Sequence, residues 1–257
     1  MNQWASNLLD EALGLVDDGT KPWALSGRVV LVEDCVETSG AFVIHHLLKR
    51  ALASHSSNVV VFLALSQPFS HYDRVLRKLG CNLAAQKENK RFFFLDMLMS
   101  EFPDVDEGGL VALYGEIEKV VRALFQESKK CITIVIDDLS LIEVVANGYS
   151  NHVLDFLHYC RTLTSEYGCS LVALNHQDIY SCMERPTLIL QLEYLADILM
   201  KVEPLATGLA TDVHGQLTVL NKEIWDGQRS SRSRMGNFHF RIKENGVEYF
   251  SPGSRGG

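Results

Sequence analysis

The chain has 257 residues, of which 47% are hydrophobic and 22% are charged. That is enough for one large globular domain or two small ones, with a substantial buried core. The formal net charge of -8 argues against a protein that coats nucleic acid through charge alone.

The first predicted element is an amphipathic helix over residues 2–16. Its apolar side chains recur at helical spacing and are Trp4, Leu8, Leu9, Leu13 and Val16. The segment has no basic start, and two acidic residues interrupt its apolar run, so it is not typical of a secretion signal. No stretch of the chain approaches the ~20 apolar residues that a membrane span needs. We therefore expect a cytoplasmic and nuclear protein that does not enter membranes.

Strands and helices then alternate along most of the chain. Five apolar runs have the continuous character of strands that are buried on both faces: Arg28–Glu33, Asn58–Leu65, Arg91–Leu98, Cys131–Asp138 and Cys169–His176. Helical periodicity separates them, over residues 40–53, 71–80, 110–126 and 151–168. The alternation predicts an α/β fold with a mostly parallel sheet flanked by helices.

The pattern changes beyond His176. Short strand-like runs over residues 194–202, 216–221, 237–242 and 247–251 are separated by turn residues, which predicts antiparallel hairpins. We assign residues 1–21 to the N-terminal helix and a linker, residues 22–251 to a single domain, and residues 252–257 to a disordered tail.

The segment after the first strand has the outline of a phosphate-binding loop. Such a loop needs G-x-x-x-x-G-K-[ST] between a strand and a helix, because backbone amides cradle the phosphates, lysine neutralises them and the hydroxyl holds magnesium. The corresponding positions here include Cys35, Glu37, Thr38, Ser39, Gly40, Ala41 and Phe42. Cys35 replaces the first glycine, Ala41 the lysine and Phe42 the hydroxyl residue. We expect the Phe42 ring to occupy the space of phosphate and metal; an ordinary strand–turn–helix unit is the alternative.

Two other strand ends carry polar residues. The fourth strand ends in Asp137 and Asp138, a pattern that can position a magnesium-bound water, although acids also commonly cap buried strands. The fifth strand ends in Asn175 and His176, ahead of a segment over residues 178–196 that we interpret as a loop. Without the loop lysine and hydroxyl, we interpret Asp137 as vestigial or structural.

The remaining candidates concern charge and metal. From Lys222 onward the chain has seven basic and four acidic residues, a net charge of +3. This segment includes Arg229, Arg232 and Arg234, which are either contacts for a polyanion or part of a solvated surface. The six cysteines include no C-x-x-C pair, and the histidines are not spaced as ligands, so we expect no metal site. Since Ala41 and Phe42 replace the lysine and the hydroxyl residue, we also expect no cofactor and no catalytic residue.

Together, the degenerate loop, the acid-ended strand and the Asn-His strand end resemble RecA-like ATPases. Three further stretches, Ala64–Leu83, Leu154–Arg161 and Glu203–Leu220, resemble the Elongator subunit 6 family, and the similarity extends over roughly residues 28–251. The resemblance implies a RecA-like fold without a working phosphate loop, in which Asn175 and His176 occupy the phosphate-sensing strand end.

The resemblance also implies partners. The family assembles with Elongator subunits 4 and 5 into a hetero-hexameric ring that docks on the catalytic Elongator subcomplex. That ring binds tRNA and supports wobble-uridine modification, and the complex is also linked to transcription elongation. Two rival hypotheses remain at this point: an ATPase or phosphotransferase that uses Asp137 and Asp138, and a scaffold without an RNA role.

Overall fold

The computed structural model describes residues 8–15, 23–53, 58–98, 108–128, 131–146, 148–180, 187–206, 208, 210, 212–222 and 234–252. Within these ranges the helices are α1 Leu8–Leu13, α2 Ala41–Ala51, α3 Phe69–Lys78, α4 Leu83–Glu88, α5 Gly108–Ser128, α6 Leu139–Val145, α7 Ser150–Tyr167 and α8 Thr187–Leu195. The strands are β1 Val29–Asp34, β2 Val59–Ala64, β3 Phe92–Asp96, β4 Ile132–Ile136, β5 Ser170–His176, β6 Ile198–Glu203, β7 Gly215–Asn221, β8 Arg234–Lys243 and β9 Gly246–Phe250. A short 3₁₀ helix, Gln177–Tyr180, follows β5.

The described strands form one sheet in the order β3-β2-β4-β5-β1-β6-β7-β8-β9. Strands β1 to β6 pair in parallel, whereas β7, β8 and β9 add antiparallel hairpins at one edge. The prediction of an α/β fold with a mostly parallel sheet and antiparallel C-terminal strands is confirmed.

The sheet separates two hydrophobic cores, since successive side chains of a strand point to opposite faces. One core lies against α5, α7 and α8, and the other lies against α1, α2 and α3. Every residue of β1, β2 and β4 is buried, which explains why these strands are continuous apolar runs in the sequence.

The helix α7 ends at Gly168, as the sequence indicates. Gly168 has φ of 66° and ψ of 21°, the left-handed conformation that glycine adopts without a steric penalty from a β-carbon. The chain turns there and enters β5, which pairs in parallel with β1.

One prediction about the segment after β5 is wrong, and a second is right only in part. Residues 187–195 form α8 instead of a loop, with Leu188, Leu192 and Leu195 buried against the core. The predicted hairpin strand 194–202 begins later, at Ile198; it pairs antiparallel with β7, as predicted, and it also pairs in parallel with β1, which was not predicted. The sequence TLILQLEYL is apolar on most sides and gives a weak helical period, so tertiary packing decides its conformation.

The N-terminal helix packs on the antiparallel part of the sheet. Its described part, Leu8–Leu13, contacts β8 and β9, and Leu9 and Leu13 are buried in the core. The rest of the predicted helix, residues 2–7 and 14–16, is not described as helical: residues 14 and 15 follow α1, and the others lie outside the described residues, as do residues 253–257 of the predicted tail. In the described ranges, each helix is too short or too polar to cross a membrane.

Candidate functional site

The loop between β1 and α2 begins with a tight turn. Cys35 and Thr38 form an isolated antiparallel bridge, and the Thr38 amide donates to the Cys35 carbonyl at 3.0 Å. Between them the Val36 amide donates to the Asp178 carboxylate at 2.8 Å, which ties the loop to the 3₁₀ helix. The loop is therefore held by the chain's own hydrogen bonds at both its turn and its flank.

At the start of α2, a backbone amide donates a hydrogen bond to a carboxylate of the preceding strand. The Gly40 amide donates to Asp34 Oδ2 at 2.6 Å, and the Ala41 amide meets the Ser39 hydroxyl at 3.2 Å. In a working phosphate loop, amides at this helix N-terminus bind phosphate oxygens. Here the Asp34 carboxylate, which is buried, supplies the negative charge that the helix dipole favours.

Gly40 also permits the close approach of loop and strand. A β-carbon at this position would lie 3.1 Å from Val32, 3.2 Å from Asp34 and 3.3 Å from Leu174. Only a residue without a side chain fits without displacing these buried neighbours. Close packing therefore explains the glycine at this position, and phosphate binding is not needed to explain it.

Phe42 lies in the core between α2 and the antiparallel strands. Its side chain is 8% exposed, and its ring contacts the Phe240 ring with centroids 4.6 Å apart. The ring packs into the core, and the carboxylate that meets the Gly40 amide is that of Asp34. The expectation that the ring occupies the space of a phosphate stays a prediction. The substitution of a hydroxyl residue by Phe42 contributes hydrophobic packing instead of a magnesium ligand.

His176 joins two of the carboxylates at the strand ends. Its Nδ1 lies 2.5 Å from Asp34 Oδ1, and its Nε2 lies 3.3 Å from Asp138 Oδ2. Hydrogen bonds to Asp138 and Asp34 raise the pKa of His176 to about 10, against the opposing effect of burial. The imidazole is therefore charged at pH 7, and both ring N–H groups donate to carboxylates.

Asp138 caps the helix that follows β4. It accepts the Ser140 amide at 2.9 Å, the Leu141 amide at 3.3 Å and the Ser140 hydroxyl. Burial alone would raise the pKa of Asp138, but the hydrogen bonds from His176 and Ser140 hold it below its ordinary value. This is the capping role that an aspartate at a helix start commonly has.

Asp137 ties β4 to the end of β2 and to α3. Its carboxylate accepts the Leu65 amide at 2.7 Å, the Ser66 amide at 3.1 Å, the Ser66 hydroxyl at 3.0 Å and the Tyr72 hydroxyl at 2.6 Å. Burial raises the pKa of Asp137, although these four donors oppose the shift. Both of its oxygens are engaged by protein groups, which indicates a structural role.

The side chains of Asn175 and His176 lie on opposite faces of the sheet, because successive residues of a strand point to opposite faces. His176 lies on the face of α2, beside Asp34. Asn175 lies on the other face, is fully buried, and has no hydrogen-bond partner for either side-chain amide atom among the described residues. The structure therefore joins His176 to the loop and separates Asn175 from it.

Glu33 lies on the same face of the sheet as Asn175, and the sequence analysis did not single it out. Glu33 is paired with Asn175 in the strand register, accepts a hydrogen bond from Gln177, and lies 3.4 Å from the Lys201 ammonium. Burial raises the pKa of Glu33 to about 7, although the nearby Lys201 opposes the shift. The sequence analysis did not single out Asp34 either. Its position as a second acidic residue at the strand end, directly before the loop, could have indicated a role at the site.

The other sequence candidates are not resolved by the geometry. Arg229 and Arg232 lie outside the described residues, and Arg234 is the first residue of β8, with a side chain that is also outside them. In the described part of the chain, no group of three or more His, Cys, Asp or Glu side chains could hold a metal ion. The roles of the three arginines remain predictions.

Comparison with solved structures places the fold among RecA-type proteins. A KaiC-like protein from the archaeon Pyrococcus horikoshii superposes with a TM-score of 0.64 and covers 95% of this chain and 96% of its own. The sequences are 16% identical, so this similarity concerns the fold alone.

Sequence comparison is more specific. The model of the family "Elongation complex protein 6" matches residues 9–244. Elongator complex protein 6 of Rattus norvegicus is 32% identical over 95% of this chain and 96% of the relative. The Xenopus laevis protein is 30% identical over 88% of this chain and 91% of its own, and the Homo sapiens protein is 29% identical over 90% and 92%. The chain therefore belongs to the Elongator complex protein 6 family.

Proposed function

We propose that this chain is a non-catalytic subunit of Elongator that forms a hetero-hexameric ring of RecA-like folds with subunits 4 and 5. In this proposal the ring docks on the catalytic subcomplex, binds tRNA and supports wobble-uridine modification, in cytoplasm and nucleus. The observation that carries the non-catalytic part is the hydrogen bond from the Gly40 amide to Asp34. The chain's own anion lies where a nucleotide phosphate would bind.

Electrostatics supports this part of the proposal. A phosphate that reached the Gly40 amide would stand within about 4 Å of the Asp34 carboxylate, where two unit charges repel by ~4 kcal/mol at an effective dielectric constant of about 20. The positive charge of His176 at this end of the sheet is already shared between Asp34 and Asp138. Ala41 and Phe42 offer neither an ammonium group nor a metal ligand.

The rival ATPase or phosphotransferase would need Asp137 or Asp138 to orient a metal or a nucleophile. Asp137 accepts hydrogen bonds from Leu65, Ser66 and Tyr72, and Asp138 caps α6 while binding His176. Both carboxylates would have to leave structural partners in order to act on a substrate. This geometry favours the non-catalytic proposal.

A subunit of a ring needs exposed surface that its neighbours can cover. Two large apolar side chains on α8 are exposed: Leu190 at 61% and Tyr194 at 86%. They lie four residues apart and so share one side of the helix. We include them in the proposal as part of a contact with a neighbouring subunit, because exposed apolar groups that lie together often mark protein interfaces.

Native mass spectrometry of the chain co-expressed with subunits 4 and 5 tests the assembly. The proposal predicts a hexamer with two copies of each subunit. The variant Leu190→Asp/Tyr194→Asp is expected to lose the hexamer, since it places two charges at the contact. The control Ala123→Asp/Gln126→Asp, which places two charges at exposed positions of α5, should retain it. A wild-type chain that stays alone, or a double variant that assembles normally, would contradict the assembly or the contact, respectively.

The tRNA part of the proposal predicts a change in salt dependence. Replacing Arg229, Arg232 and Arg234 with alanine in the assembled ring should reduce the slope of log affinity against log salt by about 2 to 3, since each phosphate contact contributes ~0.7–0.9. The slope is measured by tRNA filter binding at several salt concentrations. A triple variant at the exposed helix positions Arg77, Arg122 and Lys119 is the charge-matched control. An equal slope in both variants would remove the three arginines from the binding surface.

A further inference from the structure

A concave site borders α2, and of the degenerate loop positions its lining includes Phe42. A cavity of about 570 Å³ is bounded by α2, α3 and the turn between β8 and β9, and we name it the α2–α3 cavity. Lys49, which lines this cavity, lies eight residues beyond Ala41, the position where a phosphate loop has its lysine. The two positions are therefore about 12 Å apart along the helix axis. The cavity is within the ~300–1,000 Å³ range of small-molecule sites.

The charge of this cavity is opposite to that of the chain as a whole. Five cations line it, from three elements that are distant in sequence: Lys49, Arg50, Arg74, Lys78 and Lys243. Two carboxylates also line it, Asp10 and Glu244, which leaves a net charge of +3 when histidines are counted as neutral. The whole chain carries -8. This concentration of positive charge in a concave space favours an anionic occupant.

The two carboxylates are already bound. Asp10 is fully buried and accepts hydrogen bonds from Arg50, at 2.9 Å through its Nε, and it lies 2.8 Å from His46. Glu244 lies 3.3 Å from Lys78 on an exposed surface, where an ion pair is weak. Asp10 therefore fixes the Arg50 side chain, and Lys78 keeps donors for a further anion.

The remaining wall of the cavity is apolar and contains a neutral histidine. Phe42, Val75, Leu79 and Val247 provide hydrophobic surface. Burial, together with the smaller effect of the neighbouring His71, lowers the pKa of His45 to about 4. The ring is therefore neutral at pH 7 and can donate one hydrogen bond and accept another. A ligand that fits must combine an anionic group with an apolar part.

We propose that the α2–α3 cavity binds a small organic phosphate. Its phosphoryl group lies against Arg74 and Lys78, and its aromatic or aliphatic part lies on the apolar wall. Lys243 adds positive charge beside them, although its ammonium group is paired with Glu248. Arginine and lysine are the side chains that bind phosphoryl oxygens best. A single-stranded RNA is the macromolecular alternative, since its bases can also lie on an apolar wall. The volume of the cavity, which is that of a small-molecule site, favours the small ligand.

Titration of the full-length chain with 1-naphthyl phosphate, followed by the fluorescence of the probe, tests this proposal. Saturable binding is expected, about tenfold or more tighter than binding of the neutral 1-naphthol, since a charged hydrogen bond is worth roughly that factor. Arg74→Gln should weaken binding of the phosphate by about tenfold. The matched control Arg77→Gln, one turn away on α3 and bonded to Asp73 outside the cavity, should leave it unchanged.

Three results would overturn the proposal. They are no saturable binding of the phosphate, equal affinity for 1-naphthol and 1-naphthyl phosphate, and an equal loss in the Arg74 and Arg77 variants. Competition with a single-stranded RNA oligonucleotide tests the macromolecular alternative. If RNA displaces the probe at a lower concentration, counted in phosphate groups, than unlabelled competition by 1-naphthyl phosphate requires, that result would also count against a small ligand. Both substitutions are at exposed positions, and thermal unfolding checks that the variants are folded.

Discussion

Replacing Asp137 with alanine is expected to lower the free energy of unfolding by ~3 kcal/mol, because it leaves several buried donors without an acceptor. The Leu65 amide and the Tyr72 hydroxyl are both buried where they meet this carboxylate. Urea denaturation followed by circular dichroism measures the change. If Asp137 were instead a catalytic group poised for substrate, its removal would cost little stability.

Two further variants serve as comparisons for Asp137→Ala. Tyr72→Phe removes one of the donors and keeps the carboxylate, so we expect a loss of only about 1 kcal/mol. Asp155→Ala removes an exposed aspartate from α7 and should change stability by less than ~0.5 kcal/mol. A loss below about 1 kcal/mol for Asp137→Ala would contradict the structural role.

The second large effect concerns His176 and depends on pH. We expect His176→Gln to destabilise the fold by ~2 kcal/mol near pH 6, since it removes a cation hydrogen-bonded to two carboxylates. The pKa of His176 is raised in the folded state to about 10. A raised pKa stabilises the fold fully below the unfolded value of ~6.5 and loses that contribution as pH rises toward the folded value.

The measurement is therefore a comparison of wild type and His176→Gln at pH 6 and pH 9. The difference in unfolding free energy should be clearly smaller at pH 9 than at pH 6, because the unfolded imidazole loses its proton above ~6.5 while the folded imidazole keeps it up to about 10. His158→Gln, at an exposed position of α7, is the control and should show a small difference at both pH values. A difference for His176→Gln that stays constant or increases with pH would contradict the proposed charge on the imidazole.

The sequence predicts most of the parallel sheet, for a physical reason. Strands β1, β2 and β4 are buried on both faces, so their apolar runs are uninterrupted and their ends match the predicted ends within one or two residues. The candidates Asp138 and His176, at the ends of β4 and β5, meet because parallel strands present their carboxyl ends at one edge, and the unpredicted Asp34 at the end of β1 joins them there. Asp34, Asp138 and His176 are in direct contact there.

Other features depend on contacts that no local pattern encodes. The role of Asp34 arises because the loop returns the Gly40 amide to the strand end, six residues later. The insertion of β6 beside β1 is a choice of strand partner, and its local sequence resembles that of a hairpin strand equally well. The division of Asn175 from His176, by contrast, follows from the alternation of a strand and was open to prediction.

We propose that the chain's own carboxylate, Asp34, takes the place of a nucleotide phosphate at the start of α2. Isothermal titration calorimetry of the full-length chain with ATP, with and without magnesium, is the decisive experiment. The titration is repeated with Arg74→Gln, so that any phosphate held in the α2–α3 cavity is distinguished from the loop. We expect no magnesium-dependent binding in either protein. Micromolar, magnesium-dependent binding of ATP that persists in Arg74→Gln would show that the loop still binds nucleotide.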